Sequence, residues 1–293
     1  LPLVVYEGLK YYYPWASDRI HTFILEGVAE KKVEFAKRGI QYLFYLQRHG
    51  RDPKDTVARL AKEAALIVTD DFPCFIIPHH NQRIAELKLP VYAVDANGMV
   101  PMSALPKEEY AAYTIRPKIN RLLPDLPRRI VTPAVKVASL NLSVDCPETE
   151  VTDNAIPELV SQCDIDHSVK PSRLYHGGTL KGRKRLREFV TKILPHYDET
   201  RSEPSVDGSS RLSPYLHFGF LSIQEIVEAV ENSSAPKADK AVFLEEAIVR
   251  RELSFNLTWY NANYDSLKAL PEWALKTMRD HAHDDRPELI DAE

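Results

Sequence analysis

With 293 residues, 44% hydrophobic and 27% charged, the chain has the make-up of a globular protein of about two domains and not of a disordered one. No apolar run approaches the roughly 18 residues that span a bilayer, which argues against a membrane protein, and the opening LPLVVYEG has neither the basic region nor the small-residue cleavage site of a secretory signal. Thirty-eight basic against 42 acidic residues give a net charge of −4, which does not by itself point to nucleic acid, and the three scattered cysteines (Cys74, Cys146, Cys163) support neither a disulfide framework nor a zinc knuckle.

Leu3-Val4-Val5-Tyr6 reads as a short buried strand. Arg19 to Arg38 is helical in pattern, with Phe23, Ile24, Gly27, Val28 and Phe35 near one stripe, and it ends at Gly39. Residues 42–46 make a second strand, 55–65 a second helix, 66–69 a third strand, 82–88 a short helix and 91–95 a fourth strand. Strands alternating with helices at this spacing predict a parallel sheet covered on both faces. Asp70, Asp71 and Asp95 fall at strand ends, where such folds bind ligands, although acidic residues there are also ordinary turn residues. The first residues already read as the middle of an α/β unit, so one more strand is expected to be missing or supplied elsewhere.

Seven prolines between Pro101 and Pro147 rule out a continuous helix or a central strand there. With the acidic stretch that follows, this region reads as a long connector crossing the surface. Beyond it the pattern is helical: 182–193, 222–231 with Ser222 as N-cap and Glu225 completing a capping box, 240–260, and 271–281 with a proline near its start. The expected organisation is an α/β N-terminal domain with a Rossmann-like parallel sheet (1–125), a proline-rich and acidic linker (126–169) and an all-α C-terminal domain (170–293).

Charge is unevenly spread. Between Ser139 and Val169 there are seven acidic residues and no Lys or Arg, whereas Lys170 to Arg201 holds nine basic residues against three acidic ones. Such a stretch fits a solvated helix face, and it also fits a patch that attracts phosphates. The loop Asp207 to Gly219, DGSSRLSPYLHFG, joins hydroxyl side chains, exposed amides and one guanidinium, the groups a diphosphate needs; it also fits a serine-rich turn capping the next helix. On the helix around FLEEAIVRRELSFN, Glu246 and Arg250 are i,i+4 neighbours, as are Glu252 and Asn256. Such pairs are usually surface contacts, but this helix has enough apolar content that some of them could line a cavity. No histidine or cysteine spacing supports a metal site.

The ordered motifs ILPHYDETR (193–201), DGSSRLSPYLHFG (207–219), FLEEAIVRRELSFN (243–256), YNANYDSL (260–267) and PEWA (271–274), with YPWASDR (13–19) near the start, resemble the class II cyclobutane pyrimidine dimer photolyases of the photolyase/cryptochrome family. The resemblance covers nearly the whole chain. It implies an α/β antenna domain that can hold a light-harvesting chromophore of unidentified kind, followed by an all-α domain that binds FAD. It also implies light-dependent repair, in which excited reduced flavin passes an electron to a flipped-out dimer that splits and returns it.

By the same resemblance Tyr197 and Ser209, Ser210, Arg211, Leu212 and Ser213 hold the flavin's phosphates and ribityl chain, and Asn256 lies close to the flavin pocket. Glu246 is the catalytic carboxylate on the dimer's carbonyl edge, Arg250 faces lesion and flavin, and Arg201 and Arg251 contact DNA. The implied partner is UV-damaged DNA, bound by a monomer in the cytoplasm beside the nucleoid, or in the nucleus of a eukaryote. The family's later helical segment and first strand have no counterpart in this sequence, which therefore reads as an internal fragment or reduced member with an apolar surface prone to association. A non-catalytic photolyase-like module that binds DNA or a partner without flavin, and a cryptochrome-type photoreceptor, share these motifs.

Overall fold

Val4–Leu9 (β1) and Gln41–Leu46 (β2) pair in parallel, Val4 opposite Gln41 through to Leu9 opposite Leu46. Parallel neighbours need a crossover, and the 20-residue helix α1 (Asp18–Lys37) supplies it. Gly39 ends that helix at φ +74, a left-handed cap that glycine adopts without steric cost. The computed structural model describes residues 1–126 and 132–285, so 127–131 of the expected linker and 286–293 of the expected helical domain lie outside the described residues. After helix α2 (Thr56–Ala61) comes a second parallel pair, β3 (Ile67–Asp70) with β4 (Val91–Val94), joined through α3 (Ile77–Ala85). Helix α3 starts well before the expected residue 82, because Pro78 lies in its first turn, where a missing N–H costs nothing.

The single covered sheet expected from the sequence is not formed. Among the described residues the strands make two separate two-stranded parallel sheets, β1–β2 and β3–β4. A cavity of about 1260 Å³ separates them, bounded by Tyr6, Gly8 and Leu9 of β1 and by Phe72 to Ile77 just after β3. β1 and β3 therefore exchange no backbone bonds. On the second pair Val68, Tyr92 and Val94 stay exposed.

The expected surface connector is also corrected. Residues 112–122 form a helix, α4 (Ala112–Leu122), despite Pro117. Pro117 is exposed, as is Tyr113 four residues earlier, so the carbonyl that loses its helical partner faces water. The opposite face buries Ala112, Ile115 and Ile119, which join Met99, Val100, Met102 and Leu105 in a core with Ile223, Val227, Ile248 and Val249. Further along, the Thr149 N–H donates to the Phe44 carbonyl at 2.7 Å, and Thr149 Oγ1 and Ser139 Oγ accept from the Leu46 and Gln41 amides at 3.0 and 2.8 Å. This stretch closes the outer edge of β2. Helix α5 (Ile156–Ser161) then packs Ile156, Leu159 and Val160 against α1 and the first sheet.

The rest is helical: α6 (Thr179–Glu188) runs into a π turn at Phe189–Ile193, followed by α7 (Tyr197–Thr200), α8 (Ser213–His217) and α9 (Ile223–Glu231). The N-cap of α9 is as expected, with Ser222 Oγ accepting from the Glu225 N–H at 3.1 Å. The reciprocal half of the capping box is lost to Arg183, which takes the Glu225 carboxylate at 2.6 Å. A third core of Phe189, Leu194, Tyr197, Leu212, Tyr215, Phe220 and Phe243 fills this half, and Phe23 of α1 inserts into it. At the same junction Gly27 lets α1 approach so closely that a Cβ there would lie 2.1 Å from the Phe220 ring.

Candidate functional site

The helix that carries most of the candidate residues is not uniform. It runs as α10 (Lys237–Leu244), a π turn over Glu245–Arg250, and α11 (Arg251–Tyr260). A π turn closes at i+5 where an α turn closes at i+4, and here it brings Arg250 to Glu245, five residues back, in place of Glu246, four back. Glu246 and Arg250 accordingly do not pair. Glu246 accepts from Arg201 Nη1 at 3.1 Å, reaching across to the end of α7. Arg250 turns to Glu245 at 3.6 Å, and Glu245 is itself gripped by Arg116 of α4 at 2.6 and 3.1 Å. The hydrogen bonds from Arg116 hold the Glu245 carboxyl below the usual range.

Tyr197 packs its ring against Phe189 and Phe243 with centroids 5.8 and 5.4 Å away, and burial pushes its phenol up. The loop after α7 passes so near Thr200 that a Cβ on Gly208 would meet its carbonyl oxygen at 2.3 Å. Arg211 then takes a left-handed φ of +54 and pairs with Asp207 at 2.8 Å. Ser209 and Ser210 present their carbonyls to Arg185 at 3.0 and 2.9 Å, Leu212 is buried in the core, and Ser213 is exposed at the start of α8. Arg201, Ser209 and Arg211 frame a pocket of about 320 Å³, with Glu203 and Asp207 also on its wall. Two guanidinium groups and an exposed serine suit a diphosphate. The volume lies near the lower end of the roughly 300–1,000 Å³ of ligand sites, so the residues present fit the phosphates of a flavin dinucleotide and not its two ring systems as well.

Three candidates lie elsewhere. Arg251 donates to the Asn97 carbonyl at 3.3 and 3.2 Å and stacks on Phe255 at 4.8 Å. Glu252, fully buried, accepts the Met99 and Val100 amides at 2.5 and 3.2 Å, and burial raises its carboxyl to about 7. Asn256, also fully buried, accepts from the Glu109 amide at 2.6 Å and donates to the Lys107 carbonyl at 3.1 Å. Arg251, Glu252 and Asn256 thus clasp residues 97–109. The i,i+4 partners Glu252 and Asn256 each turn side-chain atoms to that backbone, and neither lies on the wall of the large cavity or of the Arg201 pocket.

The larger cavity between the two sheets escaped the sequence reading. Its wall is aromatic, with Tyr6, Tyr13, Trp15, Phe72 and Phe75, and it reaches His217 and Tyr264 of the helical half. Trp15 leans on Phe75 at 5.1 Å, and Phe75, held at φ +59, donates its N–H to Tyr264 Oη at 2.7 Å. Burial, then Lys10 at 3.0 Å, lowers the pKa of His80 on this wall. The aromatic run Tyr11-Tyr12-Tyr13-Pro14-Trp15 is the signal in the sequence, of which only Tyr13 to Trp15 belong to the motif YPWASDR.

No protein-family model matches the chain. It is 35% identical to the deoxyribodipyrimidine photo-lyase of Methanothermobacter thermautotrophicus over 97% of its own length and 61% of that protein. Against the deoxyribodipyrimidine photo-lyase of Potorous tridactylus it is 33% identical over its whole length and 54% of that protein. The chain thus spans little more than half the length of these relatives. Among solved structures, a Synechocystis cryptochrome superposes with a TM-score of 0.70 at 18% identity, covering 90% of this chain and 57% of that one. An archaeal photolyase from Sulfolobus tokodaii, described with two FAD molecules, gives 0.55 at 18% identity over 89% and 54%. At that identity the likeness speaks to the fold, a mixed α/β architecture in which helices dominate. Near-complete alignment of this chain to photo-lyases, together with the shared fold, makes it similar to proteins of the photolyase/cryptochrome family.

Proposed function

We propose that this chain performs, within the class II branch, light-dependent repair of cyclobutane pyrimidine dimers, with FAD as cofactor and UV-damaged DNA as substrate. The observation that carries the reading is the Arg201–Glu246 pair, set by a π turn beside a pocket framed by Arg201, Ser209 and Arg211. One patch of the helical half thereby offers a cation for phosphate, a carboxylate for a base edge and a loop for a diphosphate. In this reading Ser209 to Ser213 and Tyr197 hold the phosphate and ribityl part of FAD, which when bound and reduced supplies the light-driven electron to the lesion and takes it back.

The chain's own residues bind and orient. The Arg201–Glu246 pair is about 40% exposed on each side, and pairs of that kind are worth less than about 1 kcal/mol. A DNA phosphate can draw Arg201 away at little cost, freeing Glu246 for the carbonyl edge of an extruded pyrimidine, where it accepts from the N–H beside that carbonyl. A damaged dinucleotide is already weakly stacked, so extruding it costs less than flipping an intact pair. The basic face of α6, with Lys181, Lys184 and Arg187, adds phosphate contacts whose mark is salt-sensitive binding. The proposed organisation keeps an α/β half (1–125) carrying an antenna chromophore, a linker (126–169) and a helical FAD domain (170–293) in a monomer that acts where DNA is, at a nucleoid or in a nucleus.

The test is the near-UV and visible absorption of the purified chain before and after adding FAD, followed by illumination with a dimer-containing oligonucleotide. A stoichiometric flavin band and light-dependent loss of dimers support the reading. If no flavin is retained after reconstitution, the enzyme reading falls and a non-catalytic DNA-binding module takes its place.

A further inference from the structure

We infer that Arg116 of α4 is a positioning residue of the DNA-binding patch: by occupying both oxygens of Glu245 it keeps the Arg250 guanidinium free for a phosphate of the damaged strand. This role rests on the repair reading above and extends it to α4, outside the helix that carries the patch. Two guanidinium groups compete for one carboxylate. Arg116 takes both oxygens, Nη2 to Oε1 at 2.6 Å and Nε to Oε2 at 3.1 Å, the fork by which an arginine matches a carboxylate. Arg250 approaches the same Oε1 with its Nε at 3.6 Å, beyond hydrogen-bond range yet within reach of the charge. It is thus steered and not consumed, and its side chain stays 53% exposed.

The two cations and one anion carry 2 − 1 = +1, and the surplus sits on the exposed member. Arg250 closes the same π turn that carries Glu246, and Glu246 pairs with Arg201, so the spare cation lies beside the proposed lesion contacts. Arg116 can hold its fork because α4 is fixed. Ile115 and Ile119, on the same helix, are fully buried in one core with Ile248 and Val249 of the π turn. The chain leading into α4 is tied to α11 by Asn256, through the Lys107 carbonyl and the Glu109 amide. A guanidinium presented from such a backbone loses less freedom on pairing than one in a mobile surface pair. With Arg116 gone, Glu245 turns its whole charge on Arg250, the other cation that contacts it, and the two close into a neutral pair.

The experiment measures, in the dark, how binding of the chain to a dimer-containing oligonucleotide depends on salt. Loss of a phosphate contact lowers the slope of log Kd against log[salt] by about 1. Arg250→Met should lower it by that amount, and so should Arg116→Met, although Arg116 itself is spent on Glu245. The double variant Arg116→Met/Arg250→Met should lose no more than either single one, because both act at one contact. Adding Glu245→Gln to Arg116→Met should restore the wild-type slope, since the amide no longer captures Arg250. Side-chain nitrogen NMR reads the capture without DNA: the Arg250 Nη signals, averaged by rotation in wild type, should split in Arg116→Met as the guanidinium locks onto Glu245. A merely structural Arg116 would lower the melting temperature and the binding-competent fraction without moving the slope. The proposal is overturned by an unmoved slope in Arg116→Met, by a further loss in the double variant, by no recovery with Glu245→Gln, or by an Arg250 spectrum indifferent to Arg116. If wild type binds no DNA, the repair reading falls with it; if wild type binds and the Arg116→Met slope is unmoved, this proposal falls alone.

Discussion

Glu252 and His21 are both fully buried ionisable residues, and burial pushes them in opposite directions, Glu252 up to about 7 and His21 down to about 4. A carboxyl raised from 4.5 to about 7 keeps its proton longer in the folded state than in the unfolded one. Its contribution to stability is therefore complete below pH 4.5 and is lost as pH rises to about 7. Arg251 moderates that shift and Asp95 adds to it. His21 works the other way, its contribution being present above 6.5 and lost as pH falls towards 4. The two partly cancel in the native protein, so substitution is needed to separate them. Glu252→Gln keeps an acceptor for the Met99 and Val100 amides without the buried charge. It should gain up to about 3 kcal/mol relative to wild type at pH 8 and almost nothing at pH 4.5. Urea unfolding of both proteins at the two pH values reads this, and an equal difference at both would refute it. For the proposed chemistry, Glu246→Gln should lower light-driven repair by about tenfold or more with flavin content unchanged. Arg201→Ala should reduce the salt slope of DNA binding by about 1.

Helix α1 meets the helical half through Gly27, whose bare backbone lies against Phe220. Phe220 is 3% exposed and has Lys31 over its ring at 5.0 Å, so it has no free space to retreat into. Gly27→Ala gains about 1 kcal/mol of helix propensity but overpacks this contact at a cost of about 1–3 kcal/mol, and the net loss should be up to about 2 kcal/mol. Thermal melts would show it, with Phe220→Leu in the same chain restoring most of the loss. If the single variant melts at or above wild type, the two elements are less tightly apposed than described. On α11, Asn256→Ala leaves the Glu109 amide and the Lys107 carbonyl without partners, each costing about 1–3 kcal/mol. Limited proteolysis should then cut faster around 106–110, while cleavage at the start of β2 stays unchanged. The sequence reading found α11 from its apolar content but paired its polar residues by α-helical spacing. The π turn just upstream broke that arithmetic for Glu246 and Arg250, and no propensity scale marks where a helix widens by one residue.

At the scale of the whole chain, element type was legible wherever period and composition agreed, as in β1, α1, β2 and α9 with its Ser222 cap. Pro117 hid α4, since a proline argues against a helix unless one knows that the carbonyl four residues earlier, that of Tyr113, will face water. The proline-rich region was read as surface for the same reason, although Met102, Leu105, Ile115 and Ile119 within it are core residues. Separation of the strands into two pairs was not legible at all, because pairing is set by tertiary distance and not by local pattern. Exposure of Val68, Tyr92 and Val94 predicts self-association at high concentration, which sedimentation at rising protein concentration would detect and a Val68→Thr/Tyr92→Ser variant should reduce. The chain has three tryptophans, Trp15, Trp259 and Trp273, and only Trp15 lies on the wall of the large cavity. Its indole leans on Phe75 at 5.1 Å, next to the Phe75–Tyr264 bond that ties the two halves together. A chain in which Trp259 and Trp273 are replaced by phenylalanine therefore carries its own optical gauge: any event that fills the cavity or parts the halves will register as a change in the colour and polarisation of a single emitter.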